Sequence, residues 1–333
     1  KESPNSEISS VMYSGLVTNL PIEIMQIDAD HPFESKVLSQ SSNSGSSRIH
    51  SPSFATHEEV QYYLEKYFDD NKLRQYTKFN TKVTRVAPVQ MSVSAATTNK
   101  GEDEDENENQ TRWLVSSGTD SSTEEEEEEF DCVLVCNGHY SKPALPKVQG
   151  LKSFSGLVMH SAQYDSHMAS THDEGSLFHK QRVLLVGAKN SSVDIAREIS
   201  KTASAVVVSD RNISGVFATT HGNLSHVPGI SHIGTASVSD TNTYTGNSSG
   251  SGSDIVHFTD GTSQKFDSII FATGYDYDFP FLSSAYLNAD YDSDSDVDVE
   301  GNDLSLIQTS DRCVRPLYKQ CFHLRYPTLA FIG

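Results

Sequence analysis

The sequence is poor in basic residues and has no long apolar run. It holds 25 Lys and Arg against 45 Asp and Glu, a formal net charge of −20 over 333 residues. Proteins that bind nucleic acid or anionic membranes neutralise phosphate with Lys and Arg, so neither partner is expected. A membrane-spanning helix needs about 20 consecutive apolar residues. No run approaches that length, so no membrane span is expected.

Cysteine is also scarce, and the four residues form no recognisable site. Cys132 and Cys136 are predicted to lie in one strand, about 13 Å apart at 3.3 Å per residue, which is too far for a disulfide. No CxxC pair or His/Cys cluster has zinc spacing, so no metal is expected. Reduced cysteines indicate an intracellular, cytoplasmic protein. The chain starts at Lys1 without a signal-peptide pattern, and we expect it to lack sequence at both ends, which leaves a targeting signal open.

Low-complexity segments carry much of the negative charge. Acidic runs occupy residues 101–110, 122–129 and 291–303. Serine-rich or polar stretches occupy residues 39–53 and 235–254. Such sequences cannot bury apolar surface, so they are predicted to be disordered insertions. The remaining length is sufficient for two domains.

Strand and helix patterns alternate between these insertions. Residues 56–70 are predicted to form a helix capped by Thr56. Residues 82–89 and 111–117 are predicted to form a hairpin with an acidic insertion in its turn. The run CVLVC at 132–136 is continuously apolar, which is typical of a parallel strand covered on both faces.

The second half repeats this alternation. RVLLVG at 182–187, a helix at 190–201 and a strand at 205–211 together predict a βαβ unit. A hairpin around the Asp260–Gly261 turn leads to a last apolar strand that ends in ATGY. PTLAFIG at 327–333 is predicted to be a buried strand. The fold class is therefore predicted to be α/β.

The turn of the βαβ unit is a candidate phosphate site. A dinucleotide fingerprint, GxGxxG, lets backbone amides at a helix start approach a pyrophosphate. Only the first glycine is present, and the segment consists of Gly187, Ala188, Lys189, Asn190, Ser191 and Ser192. An ordinary strand–helix turn with a serine-rich helix start remains an alternative.

Arg211 favours the nucleotide interpretation. It stands at the end of the next strand, where an acidic residue selects NAD and a nearby Arg accommodates the 2′-phosphate of NADP. Asp210 beside it complicates this interpretation, and a solvated surface Arg is the alternative.

Five further segments occur in a recognisable order. FSGLVMHSAQY at 154–164 fits the fingerprint FxGxxxHxxxY at Phe154, Gly156, His160 and Tyr164. GLVTNLP, VLVCNGHYSKPALP, FATGY with FPFL, and PTLAFIG also agree in order, together with the turn at Gly187. In combination they resemble the eukaryotic flavin-containing monooxygenases.

This resemblance implies a fold and an activity. It implies two Rossmann-like dinucleotide-binding domains, with an NADPH domain at 176–285 inserted into an FAD domain made of 1–175 and 286–333. FAD and NADPH are the implied cofactors. One oxygen atom of O2 would pass to an amine nitrogen or a sulfide sulfur of a small molecule, as in an N,N-dimethylaniline monooxygenase.

The resemblance also implies roles for individual residues. Asn19 matches the family asparagine whose amide lies near the flavin peroxide, although an Asn that holds its own turn beside Pro21 is the alternative. Cofactor contacts are implied for Asn137, Gly138, Thr273 and Gly274. The FxGxxxHxxxY segment would link the two domains. His139 and His160 are expected to be structural, and His139 is expected to bond to backbone.

Two departures from the family pattern keep other functions open. The chain lacks the family's first strand and GxGxxG, and Asp165 replaces the basic residue that usually follows the fingerprint tyrosine. A nucleotide-binding remnant without oxygenase activity is one alternative. A flavoprotein of the disulfide-reductase type is another, although CxxxC at Cys132 and Cys136 differs from the usual redox pair.

Overall fold

The computed structural model describes residues 12–13, 16–33, 53–89, 111–119, 125–169, 176–211, 222–234, 254–282, 307, 309 and 312–332. The chain divides into two compact units, Lys1–Gln75 with Pro143–Gly274 and Tyr76–Lys142 with Tyr275–Gly333. This division does not follow the predicted domain boundaries at 175 and 285. The assignment of segments to FAD and NADPH domains therefore stays a prediction.

The described elements are, in chain order, α1 (Ile22–Met25), α2 (His57–Asp70), β1 (Lys82–Val89), β2 (Arg112–Gly118), β3 (Glu126–Phe130), β4 (Val133–Val135), β5 (Lys142–Pro143), β6 (Leu157–His160), β7 (Arg182–Val186), α3 (Asn190–Ile199), β8 (Ala205–Ser209), β9 (Leu224–Val227), β10 (Ile230–Ile233), β11 (Ile255–Phe258), β12 (Ser263–Lys265), β13 (Ser268–Phe271), β14 (Tyr275–Asp276), β15 (Leu317–Tyr318), β16 (Phe322–His323) and β17 (Leu329–Phe331). None of the described helices is long and apolar enough to cross a membrane.

A parallel sheet forms the centre of the first unit. Its strand order is β6-β13-β7-β8-β9, and every neighbouring pair is parallel. α3 connects β7 to β8, which confirms the predicted βαβ unit. The hairpin of β11 and β12 is also confirmed, with Gly261 at a φ of +85° in its turn. The α/β fold class is therefore confirmed.

Both faces of this sheet are covered. One face presents Val183, Leu185, Val206 and Val208 to Ile195, Ala196 and Ile199 of α3. The other presents Leu184, Val207, Ile269 and Phe271 to Val256, Phe258 and Phe266, which come from the β11–β12 hairpin and the segment after it. The alternation follows from the two-residue period of a strand. Continuous apolar runs in β7, β8 and β13 are thus explained by burial on two sides.

α2 confirms the predicted helix and its start. The Thr56 hydroxyl accepts a hydrogen bond from the Glu59 amide, and the Glu59 carboxylate accepts one from the Thr56 amide. This reciprocal pair satisfies two amide donors that the helix would otherwise leave open. Tyr63 of α2 stacks on Phe33, with ring centroids 4.4 Å apart.

The second unit contains two sheets around Trp113. β1, β2 and β3 are antiparallel in that order, and β15, β16, β17 and β4 form the other sheet. The predicted β1–β2 hairpin is confirmed, although residues 90–110 lie outside the described residues. The Trp113 indole donates to the Thr328 hydroxyl at 2.9 Å, beside the fully buried Leu329 of β17. The predicted buried strand in PTLAFIG is therefore confirmed.

The acidic run at 122–129 is partly a strand, so the prediction of disorder is wrong for residues 126–129. β3 pairs with β2 over Glu126–Phe130. Basic side chains offset the charge: Lys78 contacts Glu126 and Glu128, Arg85 contacts Glu127, and Arg112 contacts Glu129. The strand therefore forms through backbone pairing with β2 and through ion pairs that offset the repulsion between its glutamates, although its composition offers no apolar surface to bury.

The expectation that β4 is covered on both faces is also wrong among the described residues. Val135 is buried, but Leu134 is 57% exposed. Leu134 pairs with Ala330 on the face opposite the Trp113 core. The predicted insertions at 101–110 and 291–303 lie outside the described residues, as do most of 39–53 and 235–254.

Candidate functional site

The carboxyl ends of the parallel strands in the first unit lie at one level. Phe271 of β13 is in register with His160 of β6 and with Val186 of β7. Val186 is in register with Ser209 of β8, which pairs with Val227 of β9. The five segments that follow these strands therefore start at a common edge. Open parallel sheets bind their ligands outside this edge.

Gly187 is required by the backbone at this edge. Its φ is +108°, and a Cβ placed on it would lie 2.5 Å from the Ala272 carbonyl oxygen. The Gly187 amide donates to the Ser209 carbonyl at 2.9 Å, and the Ala272 amide donates to the Val186 carbonyl at 2.8 Å. The turn is thus pressed between the ends of β8 and β13. A side chain at position 187 would push this turn away from the end of β13.

The start of α3 has open donors next to this turn. Lys189 is the N-cap residue, but its side chain makes no capping hydrogen bond. Asn190 and Ser191 are exposed. Ser192 is fully buried, and its hydroxyl has no hydrogen-bond partner among the described residues. Uncapped amides, the positive end of the helix dipole and a nearby Lys suit a diphosphate group.

Arg211 lies at the same edge, two residues beyond the end of β8, and is exposed. Thr273 and Gly274 lie there as well, after β13. The Thr273 hydroxyl donates to the Ala144 carbonyl at 2.5 Å, and the Ala144 amide donates to the Gly274 carbonyl at 2.9 Å. The structure thus brings these residues to one edge with the Gly187 turn.

The first half of the fingerprint segment has a structural reason at each position. Phe154 is buried in the core that the hairpin covers. Gly156 faces the Asp267 carbonyl so closely that a Cβ would overlap it. This contact lets the Leu157 amide donate to the same carbonyl at 3.1 Å, where β6 begins beside β13.

His160 joins the ends of β6 and β13. Its Nδ1 accepts from the Ala162 amide at 3.1 Å, so its Nε2 carries the proton that is donated to the Gly274 carbonyl at 3.0 Å. Burial lowers the pKa of His160. The ring is therefore a neutral bridge, in agreement with its expected structural role.

Tyr164 ends the fingerprint on α3. Its hydroxyl donates to Glu198 Oε2 at 2.7 Å, and the Ser166 hydroxyl donates to the same oxygen at 2.9 Å. Burial, followed by the hydrogen bond to Glu198, raises the pKa of Tyr164. Sequence reasoning missed Glu198. The available signal was its position on α3, one turn after Ile195, which faces the core.

Asp165 has a local role that explains the departure from the family pattern. Its carboxylate accepts from the His167 amide at 2.9 Å, and its carbonyl accepts from the Met168 amide at 2.9 Å. It therefore starts the short 3₁₀ helix Ser166–Ala169. A basic residue offers no such acceptor.

Asn19 lies away from these contacts. Its segment is tied to the start of α2, where the Thr18 amide donates to the Ala55 carbonyl at 2.8 Å and Val17 bridges to Thr56. Asn19 itself is exposed. None of the contacts found among the described residues joins it to the sheet edge.

Asn137 and Gly138 belong to the second unit. The Asn137 side-chain amide donates to the Asp278 carbonyl at 3.3 Å. Gly138 has a φ of +68°, and no described atom lies within 4 Å of where its Cβ would sit. A ligand can approach such a backbone closely.

His139 corrects an expectation. Its Nδ1 has no hydrogen-bond partner among the described residues, so the predicted bond to backbone is wrong there. Its ring packs instead on Tyr140 and Tyr277, with centroids 4.2 and 5.2 Å away. Cys132 and Cys136 flank β4 and are exposed free thiols.

Comparison with known proteins agrees with this geometry. Residues 9–223 match the family described as FMO-like, flavin-binding monooxygenase-like. "Flavin-containing monooxygenase FMO GS-OX-like 4" of Arabidopsis thaliana is 29% identical over 98% of this chain and 59% of its own length. "Flavin-containing monooxygenase FMO GS-OX5" of the same plant is 30% identical over 99% of this chain and 57% of its own length.

A solved structure gives the same result. The S-allyl-L-cysteine S-oxygenase of Allium sativum is 27% identical, with a TM-score of 0.64 over 100% of this chain and 62% of its own. The chain thus spans about three fifths of the length of the relatives it matches. Because the family match covers more than half of the chain, the chain belongs to the flavin-binding monooxygenase-like family.

Proposed function

We propose that the protein carrying this chain transfers one oxygen atom of O2 to the sulfur of a small organic sulfide, using NADPH and FAD. Family membership supports the reaction class. The S-oxygenase at 27% identity supports sulfur over nitrogen as the acceptor. When bound, NADPH supplies a hydride and FAD passes the two electrons to O2. One oxygen atom then enters the sulfoxide and the other leaves as water.

The single observation that carries this proposal is the common edge of the parallel sheet. There the Gly187 turn and the uncapped start of α3 offer backbone donors beside Lys189. The buried, unpartnered hydroxyl of Ser192 is one more donor at the same helix start. These groups fit the diphosphate of a dinucleotide.

Arg211 is proposed to pair with the 2′-phosphate of NADPH. A hydrogen bond to a charged group contributes about 1.5–3 kcal/mol. Arg211→Ala should therefore reduce the preference for NADPH over NADH roughly 10- to 100-fold. The same substitution at Arg74, which is exposed on the 3₁₀ helix after α2, is the control. An unchanged preference would make Arg211 a surface charge.

With the domain at 176–285 holding NADPH and the remainder holding FAD, we propose that Thr273 and Gly274 contact NADPH and that Asn137 and Gly138 contact FAD. The left-handed, unobstructed backbone at Gly138 supports a close ligand approach there. The His160 bridge would hold Gly274 in place without taking part in proton transfer.

Asn19 is proposed to donate its side-chain amide to the oxygen that develops negative charge. Loss of one such donor typically costs about 3–4 kcal/mol. Asn19→Ala should leave NADPH consumption nearly intact, while hydrogen peroxide replaces oxygenated product. Gln26→Ala, an exposed change after α1, is the control. If Asn19→Ala still forms one oxygenated product for each NADPH consumed, Asn19 acts only as a turn residue.

The activity test uses the full-length protein with a dialkyl sulfide and a tertiary amine of similar shape. We expect NADPH-dependent formation of sulfoxide that carries one ¹⁸O atom from ¹⁸O2. Formation of N-oxide alone would support the oxygenase reaction, but it would show that nitrogen rather than sulfur accepts the oxygen atom. Nucleotide binding without either product would favour a remnant, and thiol formation from a disulfide would favour the reductase type.

A further inference from the structure

The two residues that follow β8, Asp210 and Arg211, have side chains of opposite charge. We propose that Asp210 binds the adenosine ribose hydroxyls of NADH, so that this site accepts NADH as well as NADPH. The inference rests on the proposed nucleotide site and adds a second coenzyme to it.

Strand alternation places Asp210 on the side of α3. Val206 and Val208 pack on that side, while Val207 packs on the opposite one. The Ser209 hydroxyl donates to the Pro228 carbonyl after β9. The Asp210 amide still donates to the Val227 carbonyl at 3.2 Å, so pairing continues through this residue. Asp210 therefore continues the α3 side of the strand.

The start of α3 is adjacent to this position. The Gly187 amide donates to the Ser209 carbonyl at 2.9 Å, so the turn that precedes α3 touches the residue before Asp210. A carboxylate directly after the second strand of a βαβ unit accepts hydrogen bonds from the ribose hydroxyls of NAD. Asp210 occupies that place, half-exposed and beside the proposed diphosphate donors.

Arg211 leaves on the other side. Its Cγ lies 3.3 Å from where a Cβ of Gly229 would sit, so its stem packs against the segment after β9. The guanidinium end is long enough to reach a 2′-phosphate from there. A carboxylate repels that phosphate and a guanidinium attracts it, so the pair leaves the site with a small preference between the two coenzymes.

The test measures both coenzymes on the full-length protein. We expect kcat/KM values for NADPH and NADH within about 10-fold of each other. Asp210→Ala should lower kcat/KM for NADH about 10- to 100-fold, the size expected for a lost charged hydrogen bond. NADPH should keep its rate or gain, because a repulsive charge is removed.

Binding gives a second measurement that needs no flavin chemistry. Titration with 5′-ADP and with 2′,5′-ADP should show that Asp210→Ala weakens 5′-ADP and spares 2′,5′-ADP. Asp210→Asn keeps the size of the side chain and should shift the same ratio in the same direction. Glu65→Ala removes an exposed carboxylate from α2 and should shift neither ratio.

The outcomes separate the two proposals. Loss of both coenzymes in equal measure, or no change in Asp210→Ala, would overturn the role of Asp210 and leave the oxygenase proposal standing. A wild-type protein that uses NADPH and rejects NADH would also overturn the role of Asp210 and leave the oxygenase proposal standing. Failure to bind either adenine nucleotide would overturn both.

Discussion

Strand β13 in the parallel sheet of the first unit and strand β4 in the second unit are both apolar, but they are covered differently. All four residues of β13 are buried, whereas Leu134 at the centre of β4 is 57% exposed. The sequences SIIF and VLV do not reveal this difference. An apolar run predicts that a strand belongs to a sheet. The neighbouring elements determine whether one face of the strand or both faces are covered.

Substitution of one leucine in each sheet tests this difference in burial, and we expect it to give the largest difference in unfolding free energy. Leu184 of β7 is fully buried, so Leu184→Ala should cost about 2–5 kcal/mol of unfolding free energy. Leu134→Ala should cost about 0.5 kcal/mol, as is usual for exposed sites. Urea unfolding of both variants measures the difference. Equal costs would show that the open face of β4 is covered in solution.

A buried histidine in each unit extends the comparison to pH. His323 of β16 accepts the amides of Arg325 and Tyr326 at Nδ1, and burial, aided by Arg325, lowers its pKa to about 4. The unfolded chain binds the proton near pH 6.5. The folded state therefore loses stability as pH falls from about 6.5 to 4, by about 3 kcal/mol in total.

The measurement is the unfolding free energy of wild type and His323→Gln between pH 7 and pH 4. Because carboxylates titrate in both proteins, only the difference in slope reports on His323. We expect a shallower decline in His323→Gln. Parallel curves would contradict a neutral, buried His323. His160 should behave similarly because burial lowers its pKa as well.

Two left-handed glycines give a smaller contrast. Gly138→Ala meets open space and should cost about 1–2 kcal/mol for its left-handed backbone alone. Gly187→Ala adds the overlap with the Ala272 carbonyl, so it should cost more and displace the start of α3. Unfolding free energies and nucleotide titration check both effects. Similar costs would mean that the turn relaxes without loss.

Two tyrosines give the smallest contrast. Tyr164→Phe removes the donor to Glu198 and should cost about 1–2 kcal/mol, because a half-buried carboxylate loses one of its two donors. Tyr140→Phe, at 58% exposure, should be close to neutral. Thermal unfolding of the pair is sufficient. A neutral Tyr164→Phe would show that water replaces the hydroxyl.

Local sequence predicted the backbone of the candidate site well and its partners poorly. The strand, glycine and helix around Gly187 follow from neighbouring residues, and they were confirmed. Glu198 as the acceptor of Tyr164 lies 34 positions away, and no local pattern reveals that pairing. The strand at Glu126–Phe130 was missed for the same reason, because Lys78 and Arg112 offset its charge from distant positions.

The alignment of strand ends has a consequence for how coenzyme choice changes. Since successive side chains of a strand point to opposite sides, a single-residue deletion within β8 would exchange the sides of Asp210 and Arg211. The guanidinium would then take the place of Asp210 on the α3 side, and the carboxylate would take the buried place of Ser209 beside the Pro228 carbonyl. Chain length in one short strand, and not only the identity of the two residues, would thus decide which charge faces the coenzyme.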